Sequence, residues 1–264
     1  MLALGLLGMV MAVMWTTQTI SLRCVGKPVV LRIDHADLPR RWQQLNRIVT
    51  NLAFAAAIVL YPLLRHDSPI RYYASLLPLD RRIGQAAQGA AAALIYLGLL
   101  YAVWLITDNV YLRPIGKVKK LAKRLGAVPF SAVIGAGIEE LLFRAMLMAS
   151  LMESFGTIVA VIVGTLVFAG AHYIRRVKRY WTFPGHLALG MMLCVAFACT
   201  HTLWLPLGLH GGGILIIMGL RPLVRYVGPP WLVGASIFPY AGVVGVVGLS
   251  ILTLNMWYLH GGGQ

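Results

Sequence analysis

Long apolar runs alternate with short basic loops along the whole chain. The runs lie near residues 1–21, 48–64, 86–107, 127–151, 155–173, 185–202, 203–220 and 231–258. Each approaches the ~20 residues that an α-helix needs to cross a hydrocarbon core about 30 Å thick. The pattern predicts an all-α, polytopic integral membrane helical bundle of about eight transmembrane helices, built as a single membrane domain over 1–264. The first run lacks a basic leader and reads as a transmembrane helix, not a cleaved signal peptide. Residues 203–220 carry Pro206 and a group of glycines around His210. That run is expected to be broken or only partly spanning, which a membrane tolerates where backbone lines a protein cavity.

Composition agrees with the pattern. Hydrophobic residues make up 59% of the chain and charged residues 12%, and the mean hydropathy is +0.78. The formal net charge of +15 would suggest nucleic acid in a soluble chain. Here the cations cluster in loops between apolar runs, so the predicted partner is anionic lipid and nucleic acid is not expected. Loop one holds Arg23, Lys27, Arg32, Arg40, Arg41 and Arg47; loop three holds Arg113, Lys117, Lys119, Lys120, Lys123 and Arg124. Loop five holds Arg175, Arg176, Lys178 and Arg179, and loop seven Arg221 and Arg225. The even loops contribute only Arg65, Arg71, Arg81 and Arg82, all in loop two. The odd loops are therefore expected to be cytoplasmic and both termini to lie on the opposite side. In loop three Val118, Leu121, Ala122 and Leu125 share a helical face, which suits an amphipathic surface helix or a basic linker.

The acidic residues are Asp34, Asp37, Asp67, Asp80, Asp108, Glu139, Glu140 and Glu153, and only the adjacent pair Glu139–Glu140 falls deep in an apolar run. An ionised group at that depth costs several kcal/mol unless paired or facing a polar cavity, so the pair marks a candidate functional site. Glu140 and Arg144 are four apart with the acid N-terminal, the favourable order for a helical ion pair. Glu139, turned about 100° away, is left free for chemistry. Phe168 and His172 share a face at the end of the fifth run, and His210 sits among glycines in the seventh. Gly211–Gly213 suit close helix packing or a site that admits a substrate backbone. His35, His66, His186 and His260 are expected to be solvated or interfacial, and Glu153 to be solvated in a turn. Trp181, Trp231, Trp257 and Tyr258 read as interface anchors. Cys24, Cys194 and Cys199 show no metal-site or disulfide spacing and are assigned to packing.

Together, Glu139-Glu140-x-x-x-Arg144, Phe168-x-x-x-His172 and the stretch from Gly190 through Leu203-Trp204-x-Pro206-x-x-x-His210 resemble the CPBP intramembrane proteases. That group contains the CAAX prenyl endopeptidases and bacterial enzymes linked to bacteriocin processing and self-immunity. The resemblance covers roughly residues 127–220, the expected catalytic core. It implies an endopeptidase acting on membrane-associated peptides or proteins. One position departs from the pattern: the family's motif continues His-x-x-x-Asn, the Asn helping to stabilise the oxyanion, and Ile214 stands there. Losing such a donor costs ~100–1000-fold in rate. His201 or a backbone N–H of Gly211–Gly213 is the expected substitute.

On this reading Glu139 is the general base, His172 shares and orients the water, and His210 stabilises the oxyanion. Glu140, Arg144 and Phe168 support the site. No cofactor is required. The alternative is zinc, with Glu139, His172 and His210 as three ligands and an open position for water. Two readings from other classes stand beside the protease: a catalytically silent membrane binding or immunity protein, for which Ile214 argues, and a transporter using the same residues as a relay.

Overall fold

The computed structural model describes residues 1–30, 38–114, 116, 118–174 and 180–261. Arg32, Asp34, His35, Asp37, Lys117 and the loop-five cations Arg175, Arg176, Lys178 and Arg179 lie outside them, as do the side chains of Arg81, Lys120 and His260. The chain is an all-α membrane bundle. Helices α1 (Leu2–Cys24), α2 (Arg40–Leu64) and α4 (Gly84–Ile106) are long and apolar enough to span a membrane. So are the continuous helical stretch containing α5 (Val118–Glu140) and α6 (Ala149–Phe155), and the one ending in α8 (Phe183–Thr200). Three shorter apolar helices complete the bundle: α7 (Thr157–Ala171), α9 (Trp204–Leu220) and α11 (Val243–Gly261).

Four expectations need correction. First, α9 is unbroken, because Pro206 falls in its first turn, where the missing N–H had no intrahelical partner to lose. Second, the run 231–258 is not one span. It opens with the four-residue helix α10 (Pro230–Val233), turns at Gly234 (φ +76°) and Pro239–Ala241, and only then enters α11. Third, the basic stretch from Val118 belongs to α5 itself and forms no separate surface helix. Fourth, loop two contains a helix the hydropathy pattern did not predict, α3 (Pro69–Leu76), with proline at its first position, where a fixed φ suits helix entry.

Packing is inverted relative to a soluble protein. Large apolar side chains such as Leu94, Ile95, Leu99, Ile158 and Leu254 face outward, while Gln18, Ser21, Asn46 and Thr50 are buried. Between apolar helices in lipid the hydrophobic effect gives little drive, so close backbone approach and interhelical hydrogen bonds take its place. Asn46 Nδ2 donates to Ser21 Oγ at 2.8 Å, joining α2 to α1. The most extensive helix contact, α4 on α9, is a seam of small residues. A Cβ added at Gly212 would lie 2.9 Å from Ala90 Cα, one at Gly89 2.7 Å from the Leu209 nitrogen, and one at Gly208 would collide with the Ala86 backbone. Gly212 is thus a packing glycine, whereas Gly213 has nothing within 4 Å and faces a cavity.

Two sets of loop contacts tie each end of the bundle. Strand β1 (Val110–Leu112), opening loop three, pairs antiparallel with β2 (Val224–Tyr226) of loop seven. At the other end Leu203 N–H donates to the Leu76 carbonyl at 2.8 Å and Trp204 Nε1 to Pro78 O at 2.9 Å, joining loop six to loop two. Arg65 of loop two pairs with Glu153 at 2.9 Å, so Glu153 is exposed but partnered, in the last turns of α6. Cys194 and the half-buried Cys199 are packed, whereas Cys24 is exposed and packs nothing; none forms a disulfide.

Gly208→Ala is expected to lower stability by about 1–3 kcal/mol, because a methyl group must push the α4 backbone away. Gly219→Ala, with open space at its Cβ, serves as the neutral control. Thermal unfolding of the detergent-solubilised protein reads both.

Candidate active site

At the end of α5 the helix brings Glu139 and Glu140 to mid-bundle and then widens. Leu141–Met148 is wound as a π-helix, with Ala149 N–H reaching the Arg144 carbonyl five residues back. Such segments inside α-helices recur at functional sites, since the extra residue per turn re-aims side chains. The Tyr72 hydroxyl of α3 donates to the Ala145 carbonyl within this segment.

Glu140 and Arg144 have no exposed side-chain surface. Arg144 Nη1 lies 3.2 Å from Glu140 Oε1, Nη2 is 3.4 Å from the Gly190 carbonyl, and the guanidinium stacks 4.5 Å from the centre of the Phe168 ring. Gly190 is required for this approach, since a Cβ there would be 2.8 Å from Phe168 Cδ1. The pair leaves Arg144 Nε and Glu140 Oε2 without hydrogen bonds among the described residues. Glu140 Oε1 also accepts from His210 Nδ1 at 2.7 Å, which fixes Nδ1 as protonated and turns Nε2 toward Glu139.

Glu139 is the half-buried member of the pair, with 36% of its side-chain surface accessible but its Oε2 buried. Its Oε2 lies 3.7 Å from His210 Nε2 and 3.9 Å from His172 Nε2. These spans are too long for direct hydrogen bonds and suit a small polar group held between the three. His172 follows the last residue of α7, and its Nδ1 donates to the Phe168 carbonyl at 2.9 Å, so Nε2 presents a lone pair to Glu139. Phe168 is fully buried and serves twice, its ring under Arg144 and its carbonyl orienting His172.

Glu139 and His172 line two apolar cavities at once. One, of about 220 Å³, lies between α4, α8, α9 and α11 and is also lined by His210, Ile214 and Tyr240. The other, of about 470 Å³, separates α1 and α2 from α5 and α7. Among the described residues no three His, Cys, Asp or Glu side chains are grouped closely enough to hold a metal ion.

The two expected oxyanion substitutes are corrected. The N–H groups of Gly211–Gly213 are inside the unbroken helix α9 and serve its ladder. His201 is exposed at the far end of α8, about 22 Å along that helix from His186. His186, expected to be solvated or interfacial, is 2% exposed. Its Nδ1 donates to Thr182 O at 2.9 Å and its ring lies 4.6 Å from that of His172. A histidine in the first turn of an apolar run was the only sequence signal for it. Tyr240 carried none, because its place depends on the fold-back before α11.

Residues 121–214, roughly a third of the chain, match the family described as type II CAAX prenyl endopeptidase Rce1-like. The match supports a CPBP-type intramembrane protease. No curated protein and no solved structure gives a match. The matched region contains Glu139, Glu140, Arg144, Phe168, His172 and His210, the residues that the geometry brings together. Ile237, Phe238 and Tyr240, which close the smaller cavity, come from outside it.

Arg144→Ala is expected to destabilise the protein by about 3–5 kcal/mol by leaving Glu140 buried and unpaired, and Arg144→Met with Glu140→Gln to recover most of the loss. Unfolding midpoints in detergent measure both.

Proposed function

We propose that the protein is an intramembrane endopeptidase that hydrolyses membrane-associated peptides with a water activated by Glu139 and His172. The observation that carries this reading is that His172 Nε2 and His210 Nε2 both come within 3.9 Å of Glu139 Oε2, where Glu139 and His172 border two apolar cavities. A water among them can give a proton to Glu139 while His172 Nε2 accepts its second hydrogen bond. The water oxygen bonds to the scissile carbonyl carbon, whose oxygen takes the electron pair. His210 can offer an Nε2–H to that oxygen only as an imidazolium, because its other N–H is held by Glu140. When the C–N bond breaks, Glu139 returns its proton to the leaving amine.

In this reading Glu140, Arg144 and Phe168 act by position. Arg144 offsets the Glu140 charge, Glu140 orients His210, and Phe168 orients His172. The whole chain is one membrane domain, with Glu139, His172 and His210 within its catalytic core, 127–220. No step is routed through a metal. The catalytically silent reading has one observation in favour, the apolar Ile214 in the cavity wall.

The topology proposed with this function has the basic odd loops in the cytoplasm. Pairing of β1 with β2 joins loops three and seven, while loop two contacts loop six, which supports the alternation.

Purified protein in detergent is expected to cleave members of a library of membrane-protein-derived and lipidated peptides. Glu139→Gln should abolish cleavage, and chelator should leave it intact. Equal turnover by wild type and Glu139→Gln would sink the reading, and loss with chelator restored by zinc would move it to a metalloprotease. For topology, a membrane-impermeant maleimide is expected to label Cys24 in inverted vesicles and not in right-side-out ones, with Cys24→Ser as control.

A further inference from the structure

Five polar side chains line the smaller cavity: Tyr96, Glu139, His172, His210 and Tyr240. The hydrolysis proposed above uses three. Tyr96 is committed, its hydroxyl donating to the Gly245 carbonyl at 2.8 Å. Ile214, one turn beyond His210, faces the same space with no polar atom. Tyr240 remains. It is 8% exposed, lines the cavity together with Glu139 and His210, and among the described residues its hydroxyl makes no hydrogen bond. The hydroxyl oxygen keeps accessible surface, so its O–H is free to donate to a group bound in the cavity.

The position of Tyr240 is set by backbone contacts. Ala235 and Phe238 exchange hydrogen bonds of 3.1 and 2.8 Å, and Ala241 N–H donates to Phe238 O at 3.1 Å, which closes the turn that carries it. Three glycines allow neighbouring elements to press against this turn. A Cβ at Gly185 of α8 would lie 2.5 Å from Ala241 Cα, one at Gly245 of α11 2.5 Å from Tyr240 Cα, and one at Gly234 2.7 Å from Pro239 O. The ring also meets His186 edge-on at 5.9 Å, and the His186 ring lies 4.6 Å from that of His172, tilted by 42°. A donor fixed this way needs no reorganisation as charge develops, the condition under which such donors accelerate most.

We propose that Tyr240 is a further catalytic residue, donating a hydrogen bond from its hydroxyl to the oxyanion of the tetrahedral intermediate beside His210. The assignment rests on the endopeptidase reading. The attacking water oxygen bonds to the carbonyl carbon, the displaced electron pair settles on the carbonyl oxygen, and that oxygen accepts the Tyr240 hydrogen bond without taking the proton. On collapse the pair returns, the C–N bond breaks, and the amine leaves with the proton carried by Glu139. Tyr240 ends the cycle unchanged. The role left open by the apolar Ile214 is thus filled from a segment more than twenty residues further along the chain.

Steady-state kinetics on the peptide that wild type cleaves best test this. Tyr240→Phe is expected to lower kcat ~100-fold or more with KM within about twofold and an unchanged thermal midpoint. Adding Ile214→Asn to that variant is expected to regain at least about tenfold in kcat, because an amide one helical turn from His210 puts a donor on the same wall. A Tyr240→Phe enzyme within about threefold of wild-type kcat, while Glu139→Gln is inactive, overturns the role of Tyr240 and leaves the endopeptidase reading standing. Wild type no faster than Glu139→Gln overturns both. If Tyr240→Phe loses its thermal midpoint and the double variant regains no rate, the residue is structural and the assignment falls.

Discussion

The buried ion pair of Glu140 and Arg144 constrains everything around it. Two charges without exposed surface in an apolar bundle are tolerated only when paired and further hydrogen-bonded, and desolvation consumes most of what their attraction supplies. The structure meets that condition with parts drawn from four helices. Arg144 takes a carboxylate from its own helix, a ring face from α7 and a carbonyl from α8, while Glu140 takes the Nδ1–H of His210 from α9. A pair assembled this way is a poor contributor to stability and a strong device for alignment. It fixes the rotation of four helices about one point and orients His210 as it does so.

Glu139 is the complement of this arrangement. It shares the same turn yet faces the cavities, with no Lys or Arg against it among the described residues and two imidazole nitrogens at water-bridging distance. Adjacent carboxylates with such different surroundings divide the labour. Helix geometry makes the division possible, since neighbours in sequence point about 100° apart. The π-wound turn after Glu140 then lets Arg144 reach Phe168 without drawing Glu139 inward.

Small residues let the helices come close enough for these parts to meet. Gly89, Gly208 and Gly212 bring α4 against α9, which carries His210. Gly190 admits Phe168, and Gly185 and Gly245 admit the turn bearing Tyr240. In lipid, where apolar burial between helices gives little drive, this shape fit is a main source of specificity.

Much was legible in the sequence because the bilayer imposes a strong one-dimensional constraint. Backbone polar groups must be satisfied within each span, so apolar runs near twenty residues become helices, and seven of the eight runs did so, five of them with boundary shifts of only a few residues. The pairing of Glu140 with Arg144 was legible for a similar reason, being local to one helix. What the sequence could not decide was non-local. Pro206 read as a break because proline usually is one, and only its place in the first turn made it harmless. The last apolar run looked like a single span because hydropathy does not distinguish a helix from a segment folded back among other helices. His186 read as interfacial for the same reason, since burial depends on what packs over a residue. By itself the sequence determined the helical membrane class, the central carboxylates and the histidines able to join them. The tertiary structure decided which nitrogen faces which oxygen, and which donors are already committed. It also brought Tyr240 to the cavity, because these are distances between elements far apart in the chain.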